Sequence, residues 1–247
     1  MSSLRFLTIA LALTFPKQVF SQETKSIIYF ENLHLIDAQT AVLNGEIVPG
    51  TFNNFQKLLS ERKVEKLILV SRGGLVDEAL NIAEEVHLNN IATFIPAERE
   101  CFSACAFIFF AGKSRLSNGA LGVHQISYSP AFSRKHERVG SIASETQSVL
   151  AEITEALNRF DVPKFVYERM LSTKEMYVFT QNEIIDLNRG NIQIDQARFD
   201  SFERELNENK SNAVDQSKRR FSLKEIRKIS NCLLQFGQIT VLGCLND

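Results

Sequence analysis

The chain carries no surplus of charge of either sign. Its 28 lysines and arginines against 29 aspartates and glutamates leave a formal net charge of -1 at pH 7, which argues against nucleic-acid binding through an overall positive field. Beyond the N-terminal segment no apolar run is long enough to span a bilayer. The four cysteines include no Cys-x-x-Cys pair, so zinc-ribbon and thioredoxin-type readings fail. His34, His87 and His136 lack metal-ligand spacing, and His136-Glu137 has no second histidine to complete a zincin motif. Gly112-Lys113-Ser114 ends like a phosphate-binding loop, but Phe107 stands where such a loop needs its first glycine. Neither a metal nor a nucleotide cofactor is therefore expected, and any partner must be recognised by a local site.

What is present suffices for a full core. The 247 residues are 44% hydrophobic and 23% charged, enough for one domain with an appendage. Arg5 is followed by an apolar stretch over 6–15, with Val19 and Ser21 at the -3 and -1 positions of a cleavage site. That layout reads as a secretory signal peptide over residues 1–21, with an uncleaved membrane anchor as the alternative. An exported chain is periplasmic or secreted, and in an oxidising compartment four thiols read as two disulfides. Three pairings exist. The favoured one joins Cys232 to Cys244 near the C-terminus and leaves Cys101 with Cys105.

Apolar strands alternate with helical periodicity through the middle of the chain. Strands are expected at 27–30, 41–48, 66–71, 91–95, 114–116 and 121–125. Helices are expected at 51–62, along a face carrying Leu75, Ala79, Ile82, Ala83 and Val86, from Ser103, over 142–160 and from Pro163 to Leu171. This alternation points to an α/β domain over 22–190 with a mainly parallel sheet. Residues 130–140 read as a polar loop. Residues 191–247 read as a helical C-terminal extension, with a linker-like piece at 211–218 and a last helix capped by Ser222 and Glu225.

Three pieces of this pattern carry chemistry. Ser103 stands where a strand turns into an apolar helix, so the positive end of the helix and the N–H of Ala104 both favour a developing oxyanion. Gly73-Gly74 follows the strand at 66–71 and lets the backbone approach a substrate carbonyl closely. His124 follows Leu121-Gly122-Val123 and supplies a base. Each has a plainer reading: a helix N-cap for Ser103, a tight turn for the glycines, and a core histidine held by a backbone carbonyl for His124.

Taken in order, these pieces resemble the proteolytic subunits of Clp protease. Ser71-Arg72-Gly73-Gly74-Leu75-Val76 is similar to their Ser-Pro-Gly-Gly-x-Val segment. The stretch from Ser103 through Ala-Cys-Ala-Phe-Ile-Phe-Phe to Ala111-Gly112 resembles their nucleophile helix. Leu121-Gly122-Val123-His124-Gln125 looks like the segment that carries their histidine, and Phe179-Thr180-Gln181-Asn182-Glu183-Ile184 like a helix start farther on. The resemblance covers about residues 27 to 190. It implies the Clp/crotonase spiral of β-β-α units, Ser103 as nucleophile, His124 as base, and Gly73, Gly74 and Ala104 as the oxyanion and substrate-binding backbone. It also implies a peptide or protein substrate and assembly as a homo-oligomer.

The departures are specific. Where the family places its catalytic aspartate, this chain has Met176, with Glu175 one residue away as the nearest acid. Arg72 replaces the family's proline. The features by which Clp subunits dock an ATPase ring are not recognisable, so no ATPase partner is expected. Two readings stand: a serine hydrolase working through Ser103 and His124 with Glu175 as third member, or a non-catalytic descendant that binds an extended peptide or protein in the old cleft.

Overall fold

A computed structural model describes residues 27–30, 32–126 and 139–220, with side chains over 32–126 and 146–211. The segment 1–21, most of the 130–140 loop, Cys232, Cys244 and the helix expected after Ser222 lie outside the described residues.

Strand β4 (Lys66–Val70) has Leu67, Ile68 and Leu69 all fully buried. Both of its faces must therefore be covered, as in the centre of a parallel sheet. It lies in a six-stranded sheet with β1 (Ile27–Phe30), β2 (Leu33–Leu35), β3 (Thr40–Asn44), β5 (Ala92–Ile95) and β7 (Arg115–Ser117), in the order β1-β2-β3-β4-β5-β7. The first three strands pair antiparallel, and β3, β4, β5 and β7 run parallel. A second sheet holds β6 (Glu100–Phe102), β8 (Ala120–Val123) and β9 (Tyr177–Val178), with β6 parallel to β8 and β9 antiparallel to it. The chain is a mixed α/β protein whose strands pass from one sheet to the other: β5 feeds β6 before α3 (Ala104–Ala111), and β7 feeds β8 before α4 (Val139–Arg159).

Strand alternation assigns the two faces. Leu67 and Leu69 join the main core with α1 (Thr51–Glu61), α2 (Val76–Leu88), α3 and α4, through Phe55, Leu58, Ile82, Val86, Ile153 and Leu157. Ile68 points the other way, with Ile36, Val42 and Phe94, against Phe199 and Phe202 of α7 (Gln196–Arg220). All eight residues of α3 are buried, the condition of a helix apolar on every side.

Several boundaries differ from the sequence reading. Strand β3 stops at Asn44 because Gly45 turns the chain at φ 120, and Ile47 then bridges to Gly74 instead of continuing the strand. Leu75 precedes α2 and is 39% exposed, whereas Ala79, Ile82, Ala83 and Val86 do form the buried face. The piece at 211–218 is no linker. It continues α7, since it contains neither glycine nor proline to stop a helix. The extension docks on the sheet and covers its second face.

Candidate functional site

The two sheets part at the end of β4. Lys66 to Ile68 pair with β5, but Ser71 bridges to Cys101 in β6: its N–H donates to the Glu100 carbonyl at 2.9 Å and its carbonyl accepts from the Phe102 N–H at 3.0 Å. The carboxyl ends of β4, β6 and β8 therefore open side by side, the usual location of a ligand crevice in parallel sheets. Gly73-Gly74, Ser103 and His124 follow those three ends.

Ser103 adopts φ 56 and ψ -126, the first corner of a type II′ turn, a conformation natural to glycine. For a residue with a Cβ it costs on the order of 1–3 kcal/mol. The turn is held from several sides. The Ser103 N–H donates to the Gly122 carbonyl at 2.9 Å, all of α3 is packed in the core, and a disulfide joins Cys101 to Cys105 across the serine with the two Cα atoms 5.3 Å apart. The Ser103 side chain makes no capping hydrogen bond to α3, so the plain N-cap reading fails.

The glycine pair lies directly against this turn. A Cβ at Gly73, where φ is 100, would fall 2.8 Å from Ser103 Cβ and 3.0 Å from Ala104 N; one at Gly74, φ 144, would fall 2.1 Å from the Ile47 carbonyl oxygen. Only glycine fits either place. The Gly73 N–H donates to Ser71 Oγ at 3.1 Å. The N–H groups of Gly74 and Ala104 donate to no acceptor among the described residues. Of the three backbone positions expected to bind an oxyanion, Gly74 and Ala104 have free donors, and Gly73 serves as the close-packed hinge.

Ser103, His124 and Gly74 line one small cavity of about 150 Å³, walled by Val76, Phe107, Val123 and Ile126. A wider cavity of about 540 Å³ adjoins it through Gly74, with the Arg72–Glu100 ion pair at 2.9 Å on its lining. A larger hollow of about 720 Å³ sits by the opposite ends of the strands, near Lys66, Ala92 and Ser114. Its lining holds no histidine and neither Gly74 nor Ser103, so the pieces singled out in the sequence meet in the smaller cavity and not in the roomier one.

His124 Nδ1 contacts the carbonyl oxygen of Gln125 at 2.5 Å. A carbonyl only accepts, so Nδ1 carries the proton and Nε2 keeps its lone pair. Nε2 makes no hydrogen bond with any described residue. The plainer expectation, a core histidine held by a backbone carbonyl, holds for the carbonyl but not for the burial: the ring is only partly buried and keeps Nε2 free. Glu175 stands elsewhere: it is exposed, and its carboxylate accepts from the Thr173 hydroxyl at 3.3 Å. Pairing of β8 with β9 ends at Val123 opposite Tyr177. Met176 comes just before β9, and its sulfur lies over Gly122, 3.0 Å from where a Cβ there would stand.

The sequence reading missed Gln125 as the histidine's partner. Its only signal there was adjacency to His124, because the bond runs from the main chain and any residue type supplies a carbonyl. The apolar walls were equally hidden, since they come from α2, α3 and the stretch through and just past β8. No family model matches the chain, and no curated protein matches it.

Proposed function

We propose that the chain is an exported serine hydrolase of the Clp type, a peptidase acting through Ser103 and His124. The observation that carries this reading is the conformation of Ser103: a serine held in a glycine-favoured geometry, with no capping bond, beside a histidine whose Nε2 is free. Strain of that kind persists where it presents a reactive group. The alternation of strands between two sheets, each pair followed by a helix, supports the β-β-α spiral of the Clp/crotonase fold. The Cys101–Cys105 disulfide supports an oxidising, extracytoplasmic compartment.

In the reaction Ser103 Oγ attacks the scissile carbonyl carbon while its proton passes to His124 Nε2. The oxyanion collects at the N–H groups of Gly74 and Ala104, at the positive end of α3. The imidazolium then protonates the departing amine, the C–N bond breaks, and an acyl ester remains on Ser103. Water, deprotonated by His124, hydrolyses that ester and restores the serine.

A second reading has its own support. Met176 at the position of the expected acid and Glu175 turned to Thr173 leave His124 with no carboxylate partner among the described residues, which suits a cleft that binds peptide without cutting it. A fluorophosphonate probe separates the two. The hydrolase is labelled at Ser103 alone, and His124→Ala slows labelling by at least about a hundredfold. A folded, oxidised protein that takes up no probe belongs to the binding class.

A further inference from the structure

We infer that the main-chain carbonyl of Gln125 does the work of the missing carboxylate, and that the Gln125 side chain is a positioning residue for the base. The inference rests on the hydrolase reading above. A serine hydrolase needs its histidine held in the tautomer with the proton on Nδ1, so that Nε2 faces the nucleophile. Here the acceptor that selects that tautomer is the Gln125 oxygen.

A neighbouring carbonyl is a useful orienter only if the residue that bears it is held, because rotation about the backbone dihedrals of Gln125 otherwise turns its oxygen away from the ring. Gln125 is held at two points. Its N–H donates to the Thr173 carbonyl at 3.0 Å, and its side-chain Nε2 donates to the Leu171 carbonyl at 2.5 Å. Leu171 lies in the last turn of α5 (Lys164–Ser172) and Thr173 follows that helix. The glutamine therefore satisfies carbonyls left open at the end of α5 and in return anchors the segment that aims the imidazole. Met176 stands at the position where the resemblance expects the acid, so no carboxylate comes from there. A neutral carbonyl fixes the tautomer without adding the charge that stabilises an imidazolium, so Ser103 acts as the nucleophile of an oriented dyad.

The test uses nitrogen-15 NMR of the histidine ring together with labelling kinetics in the full chain. Wild type shows His124 as the Nδ1–H tautomer, and Ser103 reacts with the fluorophosphonate. Gln125→Met keeps the side-chain length and loses the donor. It keeps the wild-type fold by circular dichroism, shifts His124 toward a tautomer mixture, and slows labelling by roughly tenfold to a hundredfold. Met176→Asp supplies a carboxylate at the position where the resemblance expects the acid and restores part of the rate in the Gln125→Met background. Labelling of Ser103 with the wild-type proton on Nε2 overturns the inference alone. A wild-type Nδ1–H tautomer with no labelling at all overturns the hydrolase reading instead. A Gln125→Met protein with unchanged tautomer and rate shows that the glutamine only caps α5.

Discussion

At Ser103 two costs pull in opposite directions, and their sizes decide what the residue is for. A serine at φ 56 and ψ -126 carries on the order of 1–3 kcal/mol of strain, while glycine there would give up about 0.5–1 kcal/mol of unfolded-chain entropy. Ser103→Gly is therefore expected to raise stability by about 1 kcal/mol, read from urea midpoints at constant slope, while abolishing probe labelling. A serine kept for structure gives the reverse: a loss of stability on substitution. The sequence pointed to Ser103, His124 and the glycine pair because their residue types state their chemistry. It left Gln125 unseen, because a backbone carbonyl has no signature, and it offered Glu175, which the turn after α5 directs to Thr173.

At the level of elements, β4, α1 and β5 were legible within one residue, and so were the starts of α2 and α3. β2 and β6, at three residues, and β9, at two, are too short to show a period. α7 hides its role for a different reason: among the described residues, the apolar side chains of its long polar sequence that pack on the sheet are Phe199, Phe202 and Leu206. His34 of β2 sits under that contact, 3% exposed, 5.1 Å from the Phe202 ring, with Nδ1 unpartnered. Burial, with a smaller contribution from Lys210, lowers its pKa below 6.5. The folded state thus holds fewer protons than the unfolded chain just below pH 6.5, and stability falls as the pH drops through that range. Urea unfolding across pH 7.5 to 5 is expected to show this decline in wild type and a shallower one in His34→Phe. Parallel profiles would remove His34 as the cause.

Across the whole molecule, one buried cation gathers three helix ends. Arg115, 1% exposed, donates to the carbonyls of Phe110 in α3, Phe160 just past α4, and Leu187 at the end of α6 (Gln181–Leu187), at 2.7, 3.3 and 2.8 Å. Burial, together with the charge of Arg189, lowers its pKa to about 10, so it stays cationic at neutral pH, where the negative ends of three helices converge. Arg115→Met strands all three carbonyls and is expected to cost about 3–5 kcal/mol in urea unfolding. A loss under about 1 kcal/mol would mean that the helices do not depend on it. Nothing in the written chain marks this arginine, since its partners are again main-chain oxygens from distant segments. The same holds for the crevice, which exists because β4 leaves one sheet to join another.

The claim on which the rest depends is that the fold, through strain and an oriented imidazole, makes one serine hydroxyl a nucleophile. Its most direct measurement is the site and rate of fluorophosphonate attachment, mapped by mass spectrometry in the oxidised folded protein and again in urea. The account predicts a single adduct on Ser103 when folded and none in urea. Adducts scattered over several residues, or a Ser103 that reacts equally fast when unfolded, would contradict it.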